Sequence, residues 1–249
     1  MSEEIEYYDN NPPPPGEEMT LIETWIAVLT KPKKETFVQV AAQSRATTGN
    51  AFLWAFFAIL VGSFANFIAQ AISMGNMMSV FEDFLPPEMA GQLPMGAVPS
   101  LGFGTIICGA PVAAIMGVFG FAISVALVQW VAKLFGGTGS FEKLAYTFSM
   151  ILFPYALISA VLVLLSAIPF VGLCFGIVTF GLAIYQIVLQ VLAVQAVNNL
   201  DTGKAIGAIF LPGLVVFLFI CCCFVLFGTL LAPIIGDIYN SMPPIPELY

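Results

Sequence analysis

The chain contains no histidine, and only 9% of its residues are charged. Without histidine, a Ser-His pair and an H-E-x-x-H zinc site are excluded. A soluble domain carries about 25% charged residues, so the scarcity of charge argues against an aqueous fold. From Ala145 to Leu200 no charged side chain occurs at all. No Asp or Glu falls inside any long apolar run, which excludes an intramembrane aspartyl dyad. Ion-coupled transport is left without the ionisable groups that usually mark it at membrane depth. Lys and Arg number only seven, with no cluster larger than Lys31, Lys33 and Lys34. Nothing tracks a phosphate backbone, so nucleic acid is not expected as a partner. The chain is expected to be no enzyme and to hold no cofactor and no metal.

What is abundant is hydrocarbon: 59% of the 249 residues are hydrophobic. A bilayer core of about 30 Å needs about 20 helical residues. The uncharged run to Leu200 is too long for one crossing and right for two, with Ile168 and Pro169 near its middle, and it reads as a helical hairpin. Five spans are predicted, at about 51–73, 105–132, 144–167, 171–198 and 205–235. The fold class is therefore all-α, a polytopic membrane bundle of five transmembrane helices, with the lipid bilayer as its first partner.

Charge then orients the bundle. Five crossings from a cytoplasmic N-terminus place Lys31, Lys33, Lys34, Arg45, Lys133, Lys143 and Lys204 inside, which is every base in the chain. The outer segments hold Glu82, Asp83, Glu88, Asp237 and Glu247 and no base, as the positive-inside rule requires. The expectation is N-terminus cytoplasmic, C-terminus outside.

The flanks are less uniform. Residues 1–18 hold six of the fifteen acidic residues and four consecutive prolines, Pro12 to Pro15. They read as a disordered tail, with a proline-groove ligand as the alternative. The first apolar run starts near Ala51 behind an acidic N-terminus, so no signal peptide is expected. Thr20 and Glu23 have capping-box spacing ahead of Leu21, Ile22, Trp25, Ile26, Val28 and Leu29. The resulting helix is too short to span. It is expected to be amphipathic and interfacial, and docking on the bundle would give the same pattern. A second short helix is predicted over Glu35 to Arg45. Residues 74–104 are predicted to form an outer loop rich in Met, with an amphipathic stretch around Val80 to Leu85. Its methionines suit an apolar cap better than a Cu(I) site, and residues 236–249 form an outer tail.

Within the spans, polar and small residues are the candidate functional positions. Asn66 and Gln70 share one face of the first span, and Gln186 and Gln190 one face of the fourth. They fit either hydrogen bonds between helices or a polar path. Gly172 and Gly176 form G-x-x-x-G, and Ala113 with Gly117, followed by Gly120, a similar motif; both suit packing within the bundle or a homo-oligomer. Pro154 interrupts the third span and is predicted to kink it. Cys221, Cys222 and Cys223 read as small lipid-compatible residues. Cys108 and Cys174 both fall toward the outer side, as two thiols or a disulfide.

Several of these features occur together in one known family. They are Lys31-Pro32 through Phe37, the turn Gly136 to Phe141, Ala145-Tyr146, Pro154, Ile168-Pro169 with Gly172, Tyr185, and Gly203-Lys204-Ala205. In this order, over about residues 22–232, the chain resembles the Yip domain family, and more its prokaryotic members. The acidic-Leu-Tyr-Gly-Pro motif of many eukaryotic members is absent; LTKPKKETF stands in its region. The resemblance implies a multi-pass protein of the bacterial or archaeal plasma membrane, or of ER and Golgi membranes in a eukaryote. It further implies a membrane organiser, adaptor or trafficking scaffold that recruits a protein partner through its cytoplasmic N-terminal region. A permease-like or channel component is the alternative.

Overall fold

The computed structural model describes residues 19–84, 105–168 and 172–241, with side chains in those ranges except 74–84, 105, 173, 219 and 223–241. The predicted acidic tail, most of the outer loop, Pro169 and residues 242–249 of the predicted C-terminal tail lie outside the described residues. The described part is helical, with no strand. Two short helices, α1 (Leu21–Thr30) and α2 (Lys34–Ala42), precede five long ones. These are α3 (Thr48–Phe84), α4 (Ala110–Leu134), α5 (Phe141–Ser166), α6 (Gly172–Asn198) and α7 (Thr202–Ser241). A π-helical turn, Thr105–Gly109, leads into α4. Each of the five is long and apolar enough to cross a membrane.

α5 is the central helix. Of its most apolar stretch 33% is buried, against 12% in α7, and it touches α3, α4, α6 and both short helices. Among the described residues α7 packs mainly on α4 and α6. Apolar side chains facing lipid gain nothing from leaving it, so close packing and polar contacts must hold the helices together. The buried core accordingly concentrates at one end, around Val125 to Ala132, Leu144 to Ile151 and Leu189 to Asn198. At that end α3, α5 and α7 begin and α4 and α6 finish, and all seven Lys and Arg are found there.

Helix ends explain the local structure. The capping box is present: the Thr20 amide donates to Glu23 Oε2 at 2.7 Å, and the Glu23 amide to Thr20 Oγ1 at 3.3 Å. The Thr20 amide, and after it the Thr20 hydroxyl, hold the Glu23 carboxyl below its ordinary value of 4.5. A depressed carboxylate stabilises the fold above its unfolded pKa, and that contribution disappears as pH falls through the folded value. The protection of the Glu23 and Thr24 amides, measured against the intrinsic exchange rate at each pH, is therefore expected to decrease on acidification below about pH 4.5. Thr20→Ala removes the hydroxyl and keeps the backbone amide, so it should reduce this pH dependence without abolishing it, and weaken α1 by about 1 kcal/mol.

The N-terminus of α3 is capped from another helix. Glu142 Oε1, in the first turn of α5, accepts from the Thr48 amide at 3.0 Å. A carboxylate there also meets the positive end of the α3 dipole.

Three boundaries differ from expectation, the first being that α7 runs past Ile235 to Ser241, so residues 236–241, predicted as tail, are helical. α3 runs past Ser73 to Phe84, so residues 74–84, predicted as loop, are helical; the run of Met, Gly, Asn and Ser has no proline to stop it. The second short helix ends at Ala42 rather than Arg45, because Gln43 turns extended, at φ −62° and ψ 146°.

Candidate functional site: a polar seam at the basic end

α1 and α2 are docked on the bundle. Thr24 and Val28 of α1, and Thr36, Phe37, Val40 and Ala41 of α2, are buried. α2 lies mainly against α6, and α1 against α5. Burying Val28, Phe37 and Val40 completely is worth about 1.5–3 kcal/mol each where the alternative is water. Ile22 and Ile26, one turn apart, still face outward at 64% and 55% exposure, so α1 presents one face to the bundle and an apolar face away from it. The two readings of this helix are thus compatible.

Polar bonds fix the docking. The Tyr146 hydroxyl, wholly buried on α5, donates to Gln43 Oε1 at 3.1 Å. Gln43 Nε2 donates to Thr24 Oγ1 at 3.0 Å, and that hydroxyl donates to the Thr20 carbonyl at 2.9 Å. The extended backbone at Gln43 is what turns its amide into this chain. The Tyr185 hydroxyl on α6 donates to the Leu29 carbonyl at 2.6 Å, at the last turn of α1. Arg45 Nη2 donates to the Met19 carbonyl at 2.8 Å and ties the end of α2 back to the start of α1. Trp25 lies 5.0 Å from Trp54 and 4.7 Å from Phe153. Among the described residues its buried indole N–H has no acceptor; the T-shaped approach to Trp54 is an arrangement in which an indole edge meets a π face.

A second polar knot joins α4 to α6. Gln129 Nε2 donates to Asn198 Oδ1 at 2.9 Å, and Asn198 Nδ2 returns a bond to Gln129 Oε1 at 3.2 Å. Gln129 Nε2 also donates to the Gly139 carbonyl at 2.7 Å. The turn between α4 and α5 thereby lies on the end of α6. A Cβ on Gly139 would meet the Val197 carbonyl oxygen at 2.5 Å, and one on Gly137 the Ala132 oxygen at 2.8 Å. Close backbone approach is the physical reason for glycine in this turn.

The remaining sequence candidates divide. Asn66 and Gln70 line a cleft of about 430 Å³ between α3 and α5, with Ser63, Tyr155 and Ser159. Asn66 donates to the Gly62 carbonyl of its own helix at 2.8 Å. Gln190 lines a separate cleft of about 510 Å³ among α4, α5, α6 and α7. Leu152 borders both clefts, and Gln186 borders neither. The four amides are not brought together. Pro154 is buried within α5 and leaves the Met150 carbonyl without its helical N–H. Gly172 is needed at the hairpin, where a Cβ would lie 2.6 Å from the Ser166 carbonyl oxygen, whereas Gly176 meets nothing within 4 Å. Gly117 packs on Ile59 of α3, so that small-residue pair is used inside the chain. Cys108 and Cys174 are free thiols. Among the described residues no three His, Cys, Asp or Glu converge as metal ligands.

Sequence reasoning singled out Tyr146 and Tyr185 but missed Thr24, Gln43, Gln129 and Asn198. The signal for Gln43 was slight, a single amide between two helices. Asn198 and Gln129 read as ordinary polar residues near span ends.

No curated protein and no solved structure matches the chain. The family model of the Yip1 domain does match, over residues 26–232, from within α1 into α7. That range takes in both tyrosine tethers and the Gln129–Asn198 knot, and the chain belongs to the Yip1 domain family.

Proposed function

We propose that this protein is a non-enzymatic membrane adaptor whose docked N-terminal helices present a surface for a protein partner on the cytoplasmic side. The observation that carries this reading is the fixing of α1 and α2 across the basic end by Tyr146 and Tyr185. Lys31, Lys33, Glu35 and Val38 are exposed on that platform. A rigid display lowers the ordering cost that a flexible recruiting segment would incur. The charge asymmetry supports the cytoplasmic placement, and it predicts that a reporter fused to the C-terminus reads as external. A cytoplasmic reporter signal would overturn it.

Recruitment is tested by photocrosslinking in intact cells from probes at Lys33, Glu35 and Val38. Discrete adducts are expected, and Tyr146→Phe with Tyr185→Phe should weaken them severalfold. Adducts unaffected by the double substitution would remove the platform from the explanation. A polar path is the second reading, supported by the Asn66 and Gln70 cleft. Impermeant thiol labelling of cysteines at 66, 70, 186 and 190 separates the two. Protection is expected, and water access at all four would favour transport.

A further inference from the structure

We propose that the cleft among α4, α5, α6 and α7 binds an acyl chain of a membrane glycerophospholipid, with Gln190 hydrogen-bonding its ester group. Twelve residues line this cleft of about 510 Å³, and Ser124 and Gln190 are the polar ones. The volume falls in the range of sites that hold small organic ligands. Gln190 is half-buried and Ser124 sits at the exposed rim. Among the described residues neither side chain has a hydrogen-bond partner. An amide left unpaired in hydrocarbon is unfavourable, so this arrangement calls for a ligand atom.

The surroundings narrow its chemistry. A well-held water needs two to four polar partners, and beyond Ser124 and Gln190 the lining is Phe121, Val125, Leu152, Val216 and similar side chains. Hydrocarbon carrying one oxygen acceptor fits better. Depth identifies the acceptor. Gln190 lies about 12 Å along α6 from Asn198, and Ser124 about 15 Å along α4 from Leu134. With the ends of α4 and α6 taken at the outer edge of a headgroup region about 6 Å thick, Gln190 lies about 6 Å below the level of the acyl esters, close to the length of its own side chain, while Ser124 lies about 9 Å below it, beyond the reach of a serine hydroxyl. Above them, exposed Lys133 ends α4 and exposed Lys204 begins α7. Lys204 is held only loosely by Asp201, at 3.9 Å, and both are largely exposed. A lipid phosphate therefore meets positive charge at the level where its own ester reaches the amide.

α7 makes this possible because it is the least embedded span. Its Pro212 and Gly213 face the cleft, and a Cβ on Gly213 meets nothing within 4 Å. Among the described residues no side chain fills this space. The inference goes beyond the adaptor function and does not depend on it.

The test uses the full chain in vesicles containing a phosphatidylglycerol with a photoreactive group on its acyl chain, made in ester-linked and ether-linked forms. The ether form lacks the carbonyl. Ester-linked probe is expected to label the peptides of Phe121, Leu152 and Val216 severalfold more than the ether form. Gln190→Leu should reduce the ester signal to the ether level. Gly213→Phe should remove labelling in the cleft while leaving it unchanged at outward-facing Trp130 and Ile177. Equal labelling by the two forms of the probe in the unaltered chain overturns the proposal, whether or not the Gly213 variant inserts. So does an unchanged ratio in Gln190→Leu. Stronger labelling by a photoreactive fatty acid than by the phospholipid overturns the assignment to a glycerophospholipid.

Discussion

Replacing Tyr146 by Phe is expected to loosen α1 and α2 from the bundle without unfolding the bundle itself. The ring still fills its buried place between α5 and the short helices, so packing is kept. What is lost is the donor to Gln43 Oε1, and Gln43 is itself buried, at 8% exposure. An acceptor left unpaired in such a place costs about 1–3 kcal/mol, more than the bond itself contributes. That penalty falls on the docked state alone, because undocked Gln43 is solvated. Amide exchange in α1 and α2 should therefore accelerate by about 5- to 150-fold while exchange in the core of α5 stays unchanged. Tyr185→Phe should act in the same direction but less, since its partner is a single carbonyl at the last turn of α1. Uniform acceleration through all helices would mean that Tyr146 supports the whole bundle and not the docking.

Gly139→Ala should have the second large effect, and a different one. The added methyl would lie 2.5 Å from the Val197 carbonyl oxygen and 2.8 Å from Asn198 Oδ1. Both atoms belong to the end of α6: the first is backbone and cannot rotate aside, and the second is the amide oxygen held by Gln129. Overpacking of this kind costs about 1–3 kcal/mol, and here it also displaces the Gly139 carbonyl that accepts from Gln129. Thermal unfolding in detergent should show a clear loss of stability. Gln129→Leu breaks the same knot by leaving Asn198 unpaired, again at about 1–3 kcal/mol. The two substitutions share partners, so their effects should combine to less than their sum in a double-mutant cycle. Strict additivity would show that turn and amide pair act independently.

Membrane residence and the five long helices were legible because each depends on one-dimensional quantities. The length of an apolar run fixes whether it can span, and runs this apolar have few other fates. Helix starts were legible where the cap is local, as with Thr20 and Glu23, three residues apart. The cap supplied to Thr48 by Glu142 was not, since 94 residues separate the two. The persistence of α3 to Phe84 was missed because methionine and glycine without proline weaken a helix but do not end it.

For the candidate site, residue types alone pointed to Tyr146 and Tyr185, through the family pattern. Their role depended on what their hydroxyls reach. Tyr146 and Gln43 are 103 residues apart, and Tyr185 and Leu29 are 156 apart. Spacing along each helix likewise put Asn66 with Gln70 and Gln186 with Gln190, as groups for interhelical hydrogen bonds or for a polar path. Spacing specifies a face of one helix and not what that face meets, and Leu152 lies between the two clefts.

The sequence by itself determined that this is a five-helix membrane protein, with its bases gathered at one end. Hydropathy and length are properties of the chain, and water or lipid reads them without reference to any neighbour. Only the tertiary structure decided which polar side chains are bound and which are open to a ligand. Gln43, Gln129 and Asn198 are satisfied by distant residues, whereas Gln190 faces a cleft. A hydrogen bond is a matter of about 3 Å in space, and separation along the chain does not fix it.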